Sequence, residues 1–354
     1  MRTTPEAALP LRTDASFPNP LDDLKTIRAA WMLDSSINFL NHGSFGARLH
    51  RVFQAQQWWR RLFESRPVEV IDRQARETFL PETKAAVGSF LGMKPDDFGL
   101  VTNATEAVNA VLRSIEIRPG DELLTTDHVY NAVRQAMKHI ARRAGASYVE
   151  AAVPRAPQSD GEIVEAISSR LTERTRLLVI DHITSPSAII FPVRRIVELC
   201  DERGIDVLID GAHAPGMLEL DVESLGAAWY AGNLHKWVCA PPGAGFLLAR
   251  PDRQHDLHPT VISHNLDEGF AAEFAWQGTR DISAWLAVPD AIRAMDELAG
   301  QGSWPSIRAH NHAMACAVRS MLRDGLELTD DAFVLESLLG SMVSAPLPVE
   351  RLRK

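Results

Sequence analysis

Between residues 98 and 250, short apolar runs alternate with amphipathic stretches, and this alternation constrains the fold more than any other feature. Residues 123–125, 177–180, 207–209 and 245–249 are brief and free of charge, as buried strands are. Between them lie helical periodicities. Ala104, Ala107, Val108, Val111, Leu112 and Ile115 share one helical face, as do Val193, Ile196, Val197 and Cys200. Strands that alternate with helices predict an α/β domain with a mainly parallel sheet. Such sheets bind ligands at the carboxyl ends of their strands. Asp210, which closes the 207–209 run, and the loop before Lys236 both fall on that edge.

The flanks are less regular. Residues 31–90 read as mostly helical, with a glycine-rich turn at Asn41-His42-Gly43-Ser44-Phe45-Gly46. Residues 289–324 read as a helix, a break near 300–305 and a second helix, and 333–348 as strand-like material. The expected division is an N-terminal arm over 1–30, a large α/β domain over 31–290 and a small, partial C-terminal domain over 291–354. The arm carries Pro5, Pro10, Pro18 and Pro20 and lacks the apolar centre of a signal peptide.

Composition narrows the class. Hydrophobic residues are 45% and charged residues 23%, as in a soluble globular protein. A formal net charge of −9 argues against a nucleic-acid surface. No apolar run approaches the ~18 residues of a membrane-spanning helix. Cys200, Cys239 and Cys316 are odd in number and widely spaced, which predicts a reduced, cytoplasmic setting. No metal site is expected: His255 and His258 have a ligand-like spacing but no evident companions.

The chemistry centres on Lys236. It follows the nearly charge-free run 228–232 and precedes Trp-Val-Cys-Ala-Pro-Pro-Gly. A lysine in such apolar company loses its proton or is used covalently, and a neutral amine forms a Schiff base. Asp210 at a strand end can hold a pyridinium N–H, Gly211 and Ala212 leave room for a flat ring, and His213 can reach a ring hydroxyl. In Thr102-Asn103-Ala104-Thr105-Glu106 a strand signal runs into a helix with a capping-box-like start. Its free N–H groups suit a phosphate, with the Thr102 and Thr105 hydroxyls as further donors. The Gly278-Thr279 turn offers another. Each feature alone has a plain reading: a capped helix, an N-cap aspartate, a surface His-Lys dipeptide. Together they supply different parts of one cofactor. Rival motifs fail, since Gly243-Ala-Gly245 lacks the third glycine of a dinucleotide loop and Ser44 lacks nucleophile-elbow spacing.

These stretches, with Leu40–Gly46, 127–132 and 181–187, resemble the class V aminotransferase family of fold-type I pyridoxal phosphate enzymes, and within it the isopenicillin N epimerase-like branch. The resemblance spans roughly residues 40–348. It implies a seven-stranded-type, mainly parallel sheet with flanking helices and a small C-terminal α+β domain. It implies that Lys236 is the Schiff-base lysine and Asp210 the partner of the pyridine nitrogen. His213 and Ser185 would lie near the ring hydroxyl, and Ala104, Thr105 and His235 near the phosphate. Tyr130 would cover the ring, Thr279 would reach the phosphate of a neighbouring subunit in a homodimer, and Asn41 and His42 would lie near an amino-acid substrate. The implied reaction is epimerisation at an amino-acid α-carbon. A cysteine-type C–S lyase, an aminotransferase and a non-catalytic remnant are the alternatives. Serine often stands in the family where Asn233 does. Family members also continue beyond a segment like 342–348 and there supply an arginine for the substrate carboxylate. The small domain is therefore expected to be truncated, with Arg280 and Arg66 as weak substitutes.

Overall fold

The computed structural model describes residues 24–298 and 303–347. At its centre is one sheet of seven strands: β1 (Phe98–Val101), β2 (Glu122–Thr126), β3 (Ser147–Ala151), β4 (Thr175–Asp181), β5 (Asp206–Gly211), β6 (Trp229–Asn233) and β7 (Gly245–Ala249). Their order across the sheet is β1-β7-β6-β5-β4-β2-β3. The run from β3 to β6 is parallel, and β7 is antiparallel to both of its neighbours. The mainly parallel α/β sheet expected from the alternating runs is therefore present.

Side-chain alternation along the strands builds two apolar layers. Leu178, Ile180, Val207, Ile209 and Tyr230 face a layer that includes helix Val193–Asp201. Leu177, Val179, Leu208, Trp229 and Ala231 face the other, which includes helices Ala104–Ser114 and Asn131–Ala144. By the same two-residue period, Asp181, Asp210 and Asn233 point to this second side at the carboxyl ends of β4, β5 and β6. Polar groups enter the sheet only where the apolar runs stop.

Some elements differ from expectation. β3 carries little apolar sequence because it is an edge strand, paired with β2 alone and half-exposed over most of its length. The two helices expected over 289–324 are present as Val288–Leu298 and Trp304–Leu326, and most of the break expected near 300–305 lies outside the described residues. The strand expected over 333–348 is absent among the described residues, which stop at 347. The short turns Asp330–Ala332 and Glu336–Leu338 flank Phe333, and one bridge joins Leu339 to Ile189. Gly340 and Pro346 interrupt the apolar run before a ladder can form. Among the described residues no helix is long and apolar enough to cross a membrane.

The glycine-rich turn Asn41–Gly46 lies directly over the Lys236 segment. Gly46 has φ +73, and a Cβ there would stand 2.0 Å from the His235 carbonyl oxygen. Both backbone angle and space demand glycine. A Gly46→Ala variant is expected to lose about 2 kcal/mol or more, measured by denaturant unfolding of the purified chain.

Candidate active site

Lys236 emerges just past β6, half-buried, with its Nζ 3.0 Å from His213 Nε2. Trp237 Nε1–H donates to His213 Nδ1 at 3.5 Å. An indole N–H only donates, so Nδ1 accepts and the imidazole proton sits on Nε2. With that tautomer Nε2–H faces the lysine nitrogen, an arrangement that suits an uncharged amine. The electrostatics agree. Burial lowers the Lys236 pKa against the pull of Asp210 and Asp181. Burial first, then Lys236 and His235, push His213 down to about 3, so it stays neutral.

Asp210 is 4% exposed at the end of β5 and accepts the Ala212 N–H at 3.0 Å. Burial raises its pKa, while Ala212 and Lys236 pull it back. Gly211 gives way to Tyr230, whose ring would lie 2.2 Å from an added Cβ. The Tyr230 hydroxyl is 2.9 Å from His182 Nδ1, and burial pushes His182 down to about 4.

The helix that begins at Ala104 is capped as its sequence suggests. Asn103 Oδ1 accepts the Glu106 N–H at 2.9 Å, and Glu106 reaches back to the Thr102 N–H at 2.7 Å. Two expectations are corrected here. The Thr102 hydroxyl donates to Glu106 and is not a free phosphate donor. The Ala104 N–H donates to Asn233 Oδ1 at 2.8 Å, because an amide oxygen longer than a serine hydroxyl reaches the helix end. Thr105, the next residue of this helix, is half-buried. His235 Nδ1 lies 3.2 Å from the Ala244 carbonyl.

His42 Nε2–H donates to the Lys236 carbonyl oxygen at 3.1 Å, with its ring 4.8 Å from Trp237. It holds the lysine segment by the backbone. Asn41 accepts the Ser44 hydroxyl at 2.8 Å at the exposed tip of the same turn. Tyr130 is exposed, and Ser185 is half-buried in the turn after β4. Thr279 is exposed in the loop that follows Trp276. Arg66 sits at the surface, 3.9 Å from Glu69. Arg280 donates to the Gln277 carbonyl and lies 5.3 Å over the Trp285 ring. His258, one half of the metal-like spacing, is 2.7 Å from Glu273. Among the described residues, the potential metal ligands that converge are His312, Cys316 and Glu336. Cys316 Sγ is 3.6 Å from His312 Nε2, and His312 Nδ1 is 3.3 Å from the Gly340 carbonyl.

Asp181 was not singled out by sequence. It is 2% exposed and stands in register with Asp210 on the adjacent strand. The signal available was an apolar run that ends, like that of β5, on an aspartate.

Asp210, the Ala104 helix end and Lys236 thus meet at one strand edge. The set fits pyridoxal phosphate: a carboxylate for the ring nitrogen, a helix N-terminus with Thr105 in its first turn for the phosphate and an amine for the aldehyde. Comparison with known proteins agrees. Residues 65–329 match the aminotransferase class-V family model, and the chain belongs to that family. Isopenicillin N epimerase of Streptomyces clavuligerus is 32% identical over 345 residues, covering 92% of this chain and 85% of its own. A putative L-cysteine desulfhydrase of Oryza sativa subsp. japonica is 34% identical over 334 residues, covering 89% of this chain and 68% of its own. In structure, a cysteine desulfurase from Thermococcus onnurineus NA1 superposes with a TM-score of 0.76 at 18% identity, over 94% of this chain and 84% of its own. A variant of the lyase C-DES with glycine linked to its pyridoxal phosphate gives 0.71 at 20% identity, over 83% of this chain and 78% of its own. Pyridoxal phosphate is the cofactor that this family membership assigns to the chain.

The buried His182 makes a pH prediction. Its folded pKa lies below its unfolded value of about 6.5, so the unfolded chain binds the proton first as pH falls. Stability from this group is complete above about pH 6.5 and lost on descent toward about 4, roughly 2 kcal/mol of it by about pH 5. Urea unfolding of a His182→Asn variant is expected to show a correspondingly flatter dependence over that range.

Proposed function

We propose that Lys236 anchors the cofactor and then, as a free amine, takes the α-proton of an amino-acid substrate. The contact between Lys236 Nζ and His213 Nε2 at 3.0 Å carries this reading, because it presents the lysine as an uncharged base. Pyridoxal phosphate, when bound, supplies the electron sink for the charge left at the α-carbon. Asp210 would hold the ring nitrogen. His213 and Ser185 would lie near the ring hydroxyl, and Thr105 and His235 near the phosphate. Tyr130 would cover the ring, with Asn41 and His42 toward the substrate.

Among the described side chains, one base is positioned on Lys236 Nζ, and β-elimination from a cysteine-type substrate requires only one. The α-proton goes to Lys236 and the thiol departs, giving sulfide, ammonia and pyruvate after hydrolysis. Burial raises the thiols of Cys200 and Cys239 to about 12 and also raises that of Cys316. None of the three is prepared as a thiolate to accept sulfur, so sulfide itself would leave. Epimerisation is the second reading, favoured by the 32% identity to isopenicillin N epimerase over most of both chains. It asks for an acid on the other face of the ring, where the exposed Tyr130 is the candidate.

We also propose a homodimer. Leu40 is 94% and Phe45 76% exposed on the turn that covers the lysine segment. A second copy would bury them and bring its own Thr279 toward the phosphate. The three unpaired cysteines support a cytoplasmic setting.

The test is product analysis. Holoenzyme given L-cysteine is expected to release sulfide and pyruvate. Deuterium at an inverted α-carbon without sulfide would instead establish epimerisation, and transfer of the amino group to a keto acid would establish a transaminase. Lys236→Ala is expected to abolish the long-wavelength absorption of the bound cofactor and reduce turnover to background.

A further inference from the structure

Asp181 and Asp210 end neighbouring parallel strands, in register and on the same face of the sheet. Strands so paired lie ~4.8 Å apart, so two buried carboxyls stand side by side. One interaction of Asp181 is a backbone hydrogen bond with Tyr130. Its Oδ2 is buried and has no partner among the described residues. A carboxylate oxygen kept from water without a donor is costly, and in a ligand site it marks a place where positive charge is expected.

The groups facing Asp181 are few. Burial first, then Asp210 on β5, push its pKa well above the usual carboxylate range, and Lys236 from the segment after β6 pulls it back, so a cation beside it is what keeps Asp181 ionised. Asp181 in turn holds the Lys236 pKa up, as Asp210 does. The neighbouring His182 is turned to Tyr230 and stays neutral.

We propose that Asp181 is a second carboxylate of the cofactor site, so that two carboxylates rather than one balance the cationic ring nitrogen and the Lys236 nitrogen. It is a positioning residue, acting through charge on groups that Asp210 and Lys236 touch directly. The inference rests on Lys236 being the covalent anchor.

The test is a pH titration of the cofactor absorption in the holoenzyme. Removing a nearby anion makes a cationic nitrogen lose its proton more easily. Asp181→Asn is therefore expected to keep the long-wavelength band and move its pH midpoint down by about one unit or more. Asp181→Glu, which restores the charge, is expected to return the midpoint toward wild type. If Asn is not tolerated, Asp181→Ser, small and uncharged, is read in the same way. A purely structural role would lower the melting temperature and leave the midpoint in place, and that result overturns the proposal. A band that survives in Lys236→Ala would instead overturn the anchor assignment, which keeps the two failures distinct.

Discussion

An amine cannot remain protonated cheaply at the end of a buried strand, and here the surroundings are arranged so that it need not. Trp237 fixes the His213 tautomer, His213 donates to Lys236, and His42 holds the lysine backbone from above. Asp210 and Asp181 pull the other way, favouring a proton on Lys236, and burial outweighs them. The remainder of the large sheet serves this arrangement. Strands β4, β5 and β6 are apolar in the middle and carry Asp181, Asp210 and Asn233 at or beside their carboxyl ends, where the chemistry gathers. Gly46 and Gly43 allow the N-terminal turn to close on it, since a Cβ at either would meet neighbours within 3 Å.

Much of this was legible in residue order because the relevant signals are local. An apolar run ending in aspartate, a lysine flanked by apolar residues and an asparagine three positions before a glutamate each report the end of an element. The sheet class and both helix faces follow from periodicity in the same way. What was not legible depends on residues far apart in the chain. Asp181 matters through its register with Asp210, which no local pattern encodes. Asn233 takes the Ala104 N–H across 129 positions. β3 was invisible because an edge strand needs little apolar sequence, and the strand expected after residue 333 is broken by Gly340 and Pro346.

The same site is compatible with several reactions, and the physics explains why. Cofactor binding draws on strand ends and one helix terminus, parts of the scaffold that cannot vary without loss of the fold. Reaction outcome depends on what lies opposite Lys236 and on which bond of the substrate stands upright over the ring. Those determinants fall on turns such as Asn41–Gly46 and on exposed residues such as Tyr130, where sequence changes cost little stability. Relatives that share about a third of their residues with this chain accordingly bear the names of an epimerase and a desulfhydrase.

One half-buried lysine, Lys236, set against His213, bears the cofactor. The most direct measurement is borohydride reduction of the holoenzyme followed by peptide mass mapping. A single stable cofactor adduct is expected, on the peptide that contains Lys236. An adduct on Lys84, Lys94 or Lys138 with Lys236 unmodified would contradict it.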